Sequence, residues 1–266
     1  MNDPEVNIMF SVPGKHLIGE VATRVHISPD FNRKKIPREE DYIESTWVQR
    51  TNENPKLYNG SKFRVDSVLY NGNTLELNIG LTCYRDFLGT NWSSNASSLQ
   101  KLGEKNHNNT QAYMSDAMGV GAFVKTSDNK ELVGKIKYED INFESMPPDA
   151  VVHEIFDSIV REVVDEVNIP RSKLSEPEML GIARNLTSAG RPSIEFLIKC
   201  SLNSREVLDL YHQGTHAEVE ESTSIRVVSV DDVMRFTVED EFWKNMAPSS
   251  KGLKETRPVM LLTIYL

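Results

Sequence analysis

Residues 151 to 169 read VVHEIFDSIVREVVDEVNI, and they separate into two faces when they are placed at about 100° per residue. Aliphatic and aromatic side chains fall on one face, and acidic side chains fall mostly on the other. Valine and isoleucine are not strong helix formers, so packing of the apolar face must hold this helix in place. Pro170 ends the helix, and the pair Pro147 and Pro148 excludes a start much before Asp149.

The polar face carries three carboxylates within one turn. Glu162, Asp165 and Glu166 stand at i, i+3 and i+4, where side chains on a helix are neighbours. Like charges at this spacing oppose helix formation, and a divalent cation would reverse that penalty. Carboxylate oxygens are the ligands that Mg²⁺ prefers, and Arg161 could hold one of them in position. The alternative is a solvated face of a surface helix, which is the commoner meaning of an acidic helix.

The order of residues in this turn favours the metal site. Residues 161 to 169, REVVDEVNI, resemble the second half of the Nudix box, R-E-U-x-E-E-x-G-U, in which U is a bulky aliphatic residue. Asp165 replaces the first Glu of the pair, and Asn168 replaces the Gly. Both changes are mild, because Asp keeps the carboxylate and Asn tolerates a left-handed helix end.

Other parts of the chain, from about Trp47 to the C-terminus, are similar to the UDP-sugar diphosphatase branch of the Nudix hydrolases, the UDP-glucose pyrophosphatase type. The similar segments are KFR (62–64), GLTCYRDFLGTNW (80–92), TQAYMSDAMGVGA (110–122), GIARNLTSAGRPSIEFLIKCSL (181–202) and APSSKG (247–252). The resemblance implies an enzyme that hydrolyses UDP-glucose or UDP-galactose to UMP and the sugar 1-phosphate. It also implies Mg²⁺ as the cofactor, with Mn²⁺ as a substitute, and a small nucleotide-sugar as the partner.

The resemblance assigns roles to the acidic turn. Glu162 and Glu166 are the expected main Mg²⁺ ligands, and Asp165 assists directly or through water. Arg161 is expected to orient these carboxylates. The metal would neutralise the diphosphate and lower the pKa of a bound water.

The residues expected to contact the substrate are assigned from the resemblance and from general chemistry. Phe63 and Tyr84 could flank the uracil ring, or they could simply pack in the core. Glu195 is either a catalytic base facing the metal or an outward-facing polar position of its strand, and the alternation favours the second. Ser249 and Lys251 are expected near the phosphate or the sugar.

The first half of the box departs from the full pattern, G-x₅-E-x₇-R-E-U-x-E-E-x-G-U. Glu154 is one residue too close to Arg161, and Pro148 stands where the opening glycine belongs. Residues 130 to 149 contain only Gly134 and nothing like the Gly-Gly turn of this branch, as if a segment had been lost. Such a turn lets the backbone approach a diphosphate, so we expect intact or weakened Mg²⁺ binding with activity reduced or absent.

Two other functions stay open at this point. A catalytically impaired or inactive Nudix-like nucleotide-sugar binding protein, or a splice product, would explain the missing glycine turn. A structural interaction domain would use the acidic helix only as a surface. Unchanged metal affinity after Glu166→Gln would favour the interaction domain.

The composition narrows the class of protein. The 266 residues carry a formal net charge of −9, and Lys and Arg form no stripe, which argues against a nucleic-acid polymer as partner. We find no membrane-spanning run and no leader at Met1. Cys83 and Cys200 form no metal-ligand pair and no disulfide framework. We therefore expect a cytoplasmic protein, or a nuclear one.

The pattern along the chain predicts an α/β (α+β) protein, a Nudix-type α/β/α sandwich with a mixed sheet. Residues 1 to 115 would form a β-rich accessory region, and residues 116 to 266 a hydrolase domain that is shortened between 130 and 150. We expect the chain to be frayed up to about Lys15. Predicted elements are a helix (39–50), a hairpin around Asn71-Gly72, a strand (119–126), strands at 179–184, 194–201, 224–230 and 259–266, and helices opening near Ser204 and Asp231.

Overall fold

The computed structural model describes residues 4–14, 17–128, 130–132, 146–213, 228–229, 240, 244 and 251. The predicted strand at 259–266, the helix opening near Asp231 and most of the strand at 224–230 lie outside these residues. In chain order the helices and strands are β1 Val6–Ser11, β2 Thr23–Ile27, α1 Pro37–Glu53, β3 Ser61–Tyr70, β4 Leu75–Cys83, α2 Tyr84–Gly89, α3 Ala96–His107, β5 Gly119–Lys125, β6 Lys130–Leu132, α4 Pro148–Val167, β7 Glu178–Asn185, β8 Arg191–Lys199, α5 Ser204–His212 and β9 Val228–Ser229.

Within the described residues the strands form two sheets, and both are mixed. The larger sheet has the order β1-β7-β8-β5-β6-β9, in which only β5 and β8 are parallel neighbours. The smaller sheet has the order β2-β4-β3, with β2 and β4 parallel and the predicted hairpin β3–β4 antiparallel. The α/β class with a mixed sheet is therefore confirmed.

The helix α4 lies between the two sheets. It packs against β2 of the smaller sheet and β5 of the larger one, and its Phe156 ring meets Phe196 of β8 edge-on at 5.0 Å. Its apolar face belongs to the main hydrophobic core, which draws on both sheets. Burial on two sides explains how a helix rich in β-branched residues is held in its conformation.

The two ends of α4 follow the local sequence. Pro147 precedes the first turn and Pro148 occupies it, where a missing amide proton costs nothing. The helix ends at Val167, because Asn168 adopts a left-handed conformation with φ of 63° and donates its amide to the Val164 carbonyl. The end therefore comes two residues before the predicted one.

The N-terminal strand contradicts the expected fraying up to Lys15. β1 pairs with β7 at the edge of the larger sheet, and the Val12 amide continues the pairing by donating to the Leu180 carbonyl at 3.1 Å. The first predicted region thus contributes an edge strand to a sheet formed by the second. The division at residue 115 as a domain boundary stays a prediction.

The region of the expected missing segment lies beside β5. Within the described ranges, β6 pairs with Val124 and Lys125 at the end of that strand, and β9 pairs with β6 in turn. None of the helices in the described part of the chain has the length and apolar character needed to cross a bilayer.

Candidate functional site

The packing of α4 buries two of the three carboxylates in its acidic turn and leaves the third exposed. Glu162 and Glu166 are only 6% and 4% exposed, whereas Asp165 of the same turn is exposed. The two buried positions are one helical turn apart, so they share a face that the surrounding elements cover. Asp165 lies on the other side of Glu162 and faces outward.

The predicted group of three carboxylates is therefore not formed. Among the residues that the structure describes, no three His, Cys, Asp or Glu side chains lie together closely enough to hold a metal ion. Two buried carboxylates still suit Mg²⁺, because this ion usually takes one or two protein carboxylates and completes its shell with water and substrate phosphate.

Arg161 binds a different pair of carboxylates from the one expected. Its guanidinium forms ion pairs with Glu154 and Asp157, which stand seven and four residues earlier on the same helix. The side chain of Arg161 is about half exposed, at 47%. The carboxylates that Arg161 holds are thus those on the outer face of α4 rather than those of the acidic turn.

Lys62 interacts with Glu162 and with a second cation, Arg191, and the sequence pattern had predicted a role for neither cation. Lys62 of β3 and Arg191 of β8 are both half-buried. Burial, together with the charge of Arg191, lowers the pKa of Lys62 to about 8, and the Glu162 carboxylate acts in the opposite direction. The three charged groups therefore come from three elements that are distant in sequence. The similar segments at 62–64 and 181–202 already contained both cations, but nothing in them set Lys62 or Arg191 apart.

Glu195 is buried, so the outward-facing interpretation of this residue is wrong. It is 1% exposed on the central strand β8, and both of its cross-strand neighbours are glycines, Gly121 of β5 and Gly181 of β7. A Cβ atom on Gly121 would lie 2.4 Å from Glu195 Oε2, so the glycine makes room for the carboxylate. Ser193 donates a hydrogen bond of 2.7 Å to Glu195 Oε1.

The two candidate base-binding aromatics have different environments. Phe63 has no exposed surface and belongs to the main hydrophobic core, which supports the packing alternative for this residue. Tyr84 is half-buried in a separate cluster, where it stacks on Phe87 at 6.3 Å and meets Trp47 edge-on at 6.4 Å. Trp92 stacks on Phe87 at 5.8 Å and is exposed.

The two predicted phosphate or sugar contacts near the C-terminus stay predictions. Ser249 lies outside the described residues. Lys251 is 3% exposed, and its ammonium forms an ion pair of 2.6 Å with Glu5, just before the edge strand β1. That pairing places its charge at the edge of the larger sheet.

The loop that enters β5 is fixed by buried polar groups. Arg64 is fully buried and donates to the carbonyls of Met114 and Gln111, at 3.2 and 3.0 Å. Asp116, which adopts a positive φ of 46°, accepts from Asn91 at 3.2 Å and from Arg184 at 2.9 Å. These bonds place the start of β5, and with it Gly121, which lines the buried carboxylate of Glu195.

Known proteins resemble this chain over most of its length. The human uridine diphosphate glucose pyrophosphatase NUDT22 (Homo sapiens) is 38% identical over 279 residues, which cover 94% of this chain and 91% of the relative. The mouse protein of the same name (Mus musculus) is 37% identical over 278 residues, covering 94% and 89%. Nudix hydrolase 9 of Arabidopsis thaliana is 32% identical over 254 residues, covering 79% and 80%. This chain belongs to the Nudix hydrolase family. No family model matches it.

Membership of the Nudix hydrolases confirms the family resemblance and indicates an enzyme. The relatives do not favour the alternative of a non-catalytic binding protein. The loss of a segment between residues 130 and 150 stays a prediction.

Proposed function

We propose that this Nudix hydrolase cleaves the diphosphate of UDP-glucose or UDP-galactose and releases UMP and the sugar 1-phosphate. The observation that carries the proposal is the pair of buried carboxylates, Glu162 and Glu166, with the half-buried Lys62 close enough to interact with Glu162. A buried acidic pair is costly unless a cation compensates it. The names of the mammalian relatives supply the substrate class.

Mg²⁺, with Mn²⁺ as a substitute, is the cofactor that we propose. Glu162 and Glu166 would hold it, and Asp165 would act through water from its exposed position. When bound, the metal neutralises the diphosphate and lowers the pKa of a water molecule.

The remaining steps belong to side chains of the chain itself. Glu195 would accept the proton of the attacking water, since its carboxylate is buried and has room beside Gly121. Tyr84 would bind one face of the uracil by stacking. Arg161 would act indirectly, because its ion pairs with Glu154 and Asp157 stiffen the outer face of α4.

The experiment compares Glu166→Gln with Asp165→Asn, two isosteric changes on the same helical turn. UMP released from UDP-glucose is measured with Mg²⁺ in excess. We expect Glu166→Gln to lower kcat/KM by about 100-fold or more, because a bound metal contributes several kcal/mol to the transition state. Asp165→Asn should lower it by about 3-fold or less, because an exposed carboxylate acting through water contributes little.

Three results would contradict the proposal. One is the absence of UMP release by the wild-type chain with either UDP-sugar. The second is an equal effect of the two substitutions. The third is metal affinity, measured by calorimetry, that is unchanged in Glu166→Gln. The reduced or absent activity expected from the missing glycine turn stays a prediction, and the same assay measures it.

A further inference from the structure

The guanidinium of Arg191 lies against Ala117, Phe87 and Gly119. Its Nε donates to the Ala117 carbonyl at 2.9 Å, and its Cζ lies 5.2 Å from the centre of the Phe87 ring. Its Nη2 lies 3.2 Å from the position that a Cβ atom on Gly119 would occupy. The Nη2 end of this planar cation is therefore directed toward the backbone of Gly119.

The groups that hold Arg191 are themselves rigid. Ala117 forms a bridge with Arg64 of β3, and the next residue, Met118, donates its amide to the Phe63 carbonyl at 2.8 Å. The Ala117 carbonyl is therefore fixed at the junction of the two sheets. Phe87 is buried in the short helix α2. Little conformational entropy remains for the guanidinium to lose when it binds a ligand.

Lys62 is brought to the same place from the smaller sheet. The bond between Met118 and Phe63 sets the backbone of residue 62 beside Gly119, the glycine that Arg191 also approaches. A phosphate group that both side chains contact would lower the electrostatic cost of bringing two like charges together.

We propose that Lys62 and Arg191 together bind one phosphate group of a nucleoside diphosphate, over the bare backbone of Gly119. The inference rests on the proposed function for the identity of the substrate, but not for the presence of the anion site. Arg191 would supply the planar, oriented contact, and Lys62 a point charge. This pair of cations, Lys62 and Arg191, is called the clamp below. The clamp would hold the diphosphate beside Glu162, the carboxylate proposed to carry the metal.

Calorimetry with inorganic pyrophosphate, in the presence of a chelator, tests the clamp without the metal. We expect Arg191→Met to weaken the affinity by about 10- to 100-fold, the loss typical of a hydrogen bond to a charged group. Lys199→Met is the matched control, because Lys199 is an exposed cation at the other end of the same strand, paired with Glu178. The control should change the affinity by about 2-fold or less.

Arg191→Lys keeps the positive charge but loses the planar guanidinium. It also tests the clamp if Arg191→Met does not fold. It should weaken pyrophosphate binding by about 3- to 10-fold and raise the KM for UDP-glucose more than it lowers kcat. The clamp is refuted if wild-type protein binds no pyrophosphate, if Arg191→Met or Arg191→Lys binds it as well as wild type, or if Lys199→Met weakens it equally.

The two proposals fail separately. If wild-type protein hydrolyses UDP-glucose while Arg191→Met keeps full pyrophosphate affinity, the clamp is wrong and the proposed function stands. If wild-type protein binds pyrophosphate through Arg191 but releases no UMP from either UDP-sugar, the anion site stands and the substrate assignment is wrong.

Discussion

Gly121 tests whether the space around the buried Glu195 carboxylate is as tight as the structure shows. In Gly121→Ala, the new methyl group would lie 2.4 Å from Glu195 Oε2 and 3.1 Å from its Cδ. Gly121 does not have a left-handed backbone conformation, so alanine at this position is opposed by the contact with Glu195 and not by backbone strain. The Glu195 carboxylate accepts a hydrogen bond from Ser193, and β7 pairs with β8 on the side opposite β5. The side chain cannot move away from Gly121 without losing that hydrogen bond.

The expected magnitude follows from two opposing effects. Overpacking in a close-packed interior costs about 1–3 kcal/mol. Replacing a strand glycine by alanine otherwise stabilises a protein by about 0.5–1 kcal/mol, because the unfolded chain loses freedom. Gly121→Ala should thus destabilise the wild-type background by about 1–2 kcal/mol and stabilise a Glu195→Ala background by about 0.5 kcal/mol or more. The coupling free energy between the two sites should be about 2 kcal/mol.

Urea denaturation of the four proteins of this double-mutant cycle, followed by circular dichroism, measures the coupling. The single change Glu195→Ala has its own cost, but the cycle cancels it. An equal loss of stability from Gly121→Ala in both backgrounds would refute the reasoning, because the methyl group would then clash with something other than the carboxylate. A gain of stability in the wild-type background would refute it too.

The other predictions concern the placement of α4 and α5. Val163→Ala should destabilise the protein by about 2–3 kcal/mol and Val164→Ala by about 1 kcal/mol, as judged by urea unfolding, because the first side chain has no exposed surface and the second is only partly buried. Asn168→Ala should cost about 1–2 kcal/mol more than Asn168→Gly in the same assay, because only glycine shares the tolerance of Asn for a positive φ; equal costs would contradict this. Desolvation opposes ionisation of Asp128, but hydrogen bonds from the start of α5 outweigh it and lower its pKa to about 2. The stability difference between wild type and Asp128→Asn should therefore be constant above about pH 5 and shrink as the pH falls from about 4 towards 2, and a difference that grows with acid would overturn the assignment.

Local sequence patterns were sufficient to predict the elements that have a clear apolar period or characteristic residues at their ends. The period of α4, its proline start and the tolerance of Asn168 for a left-handed end are all short-range properties. The hairpin β3–β4 was equally readable, because Asn-Gly between alternating segments favours one turn geometry. β1 was missed, because its stability comes from pairing with β7, and such long-range pairing leaves little trace in six residues.

The sequence by itself determined that an acidic turn on an amphipathic helix resembles the Nudix box, and that the glycine half of the box is altered. Only the tertiary structure decided that Glu162 and Glu166 are buried while Asp165 is exposed, since helical spacing makes all three neighbours and only the covering sheets separate them. It also brought Lys62 and Arg191 to the same glycine from two different sheets. Charges that meet through strand pairing are far apart in sequence, so no local sequence pattern predicts that they lie close together.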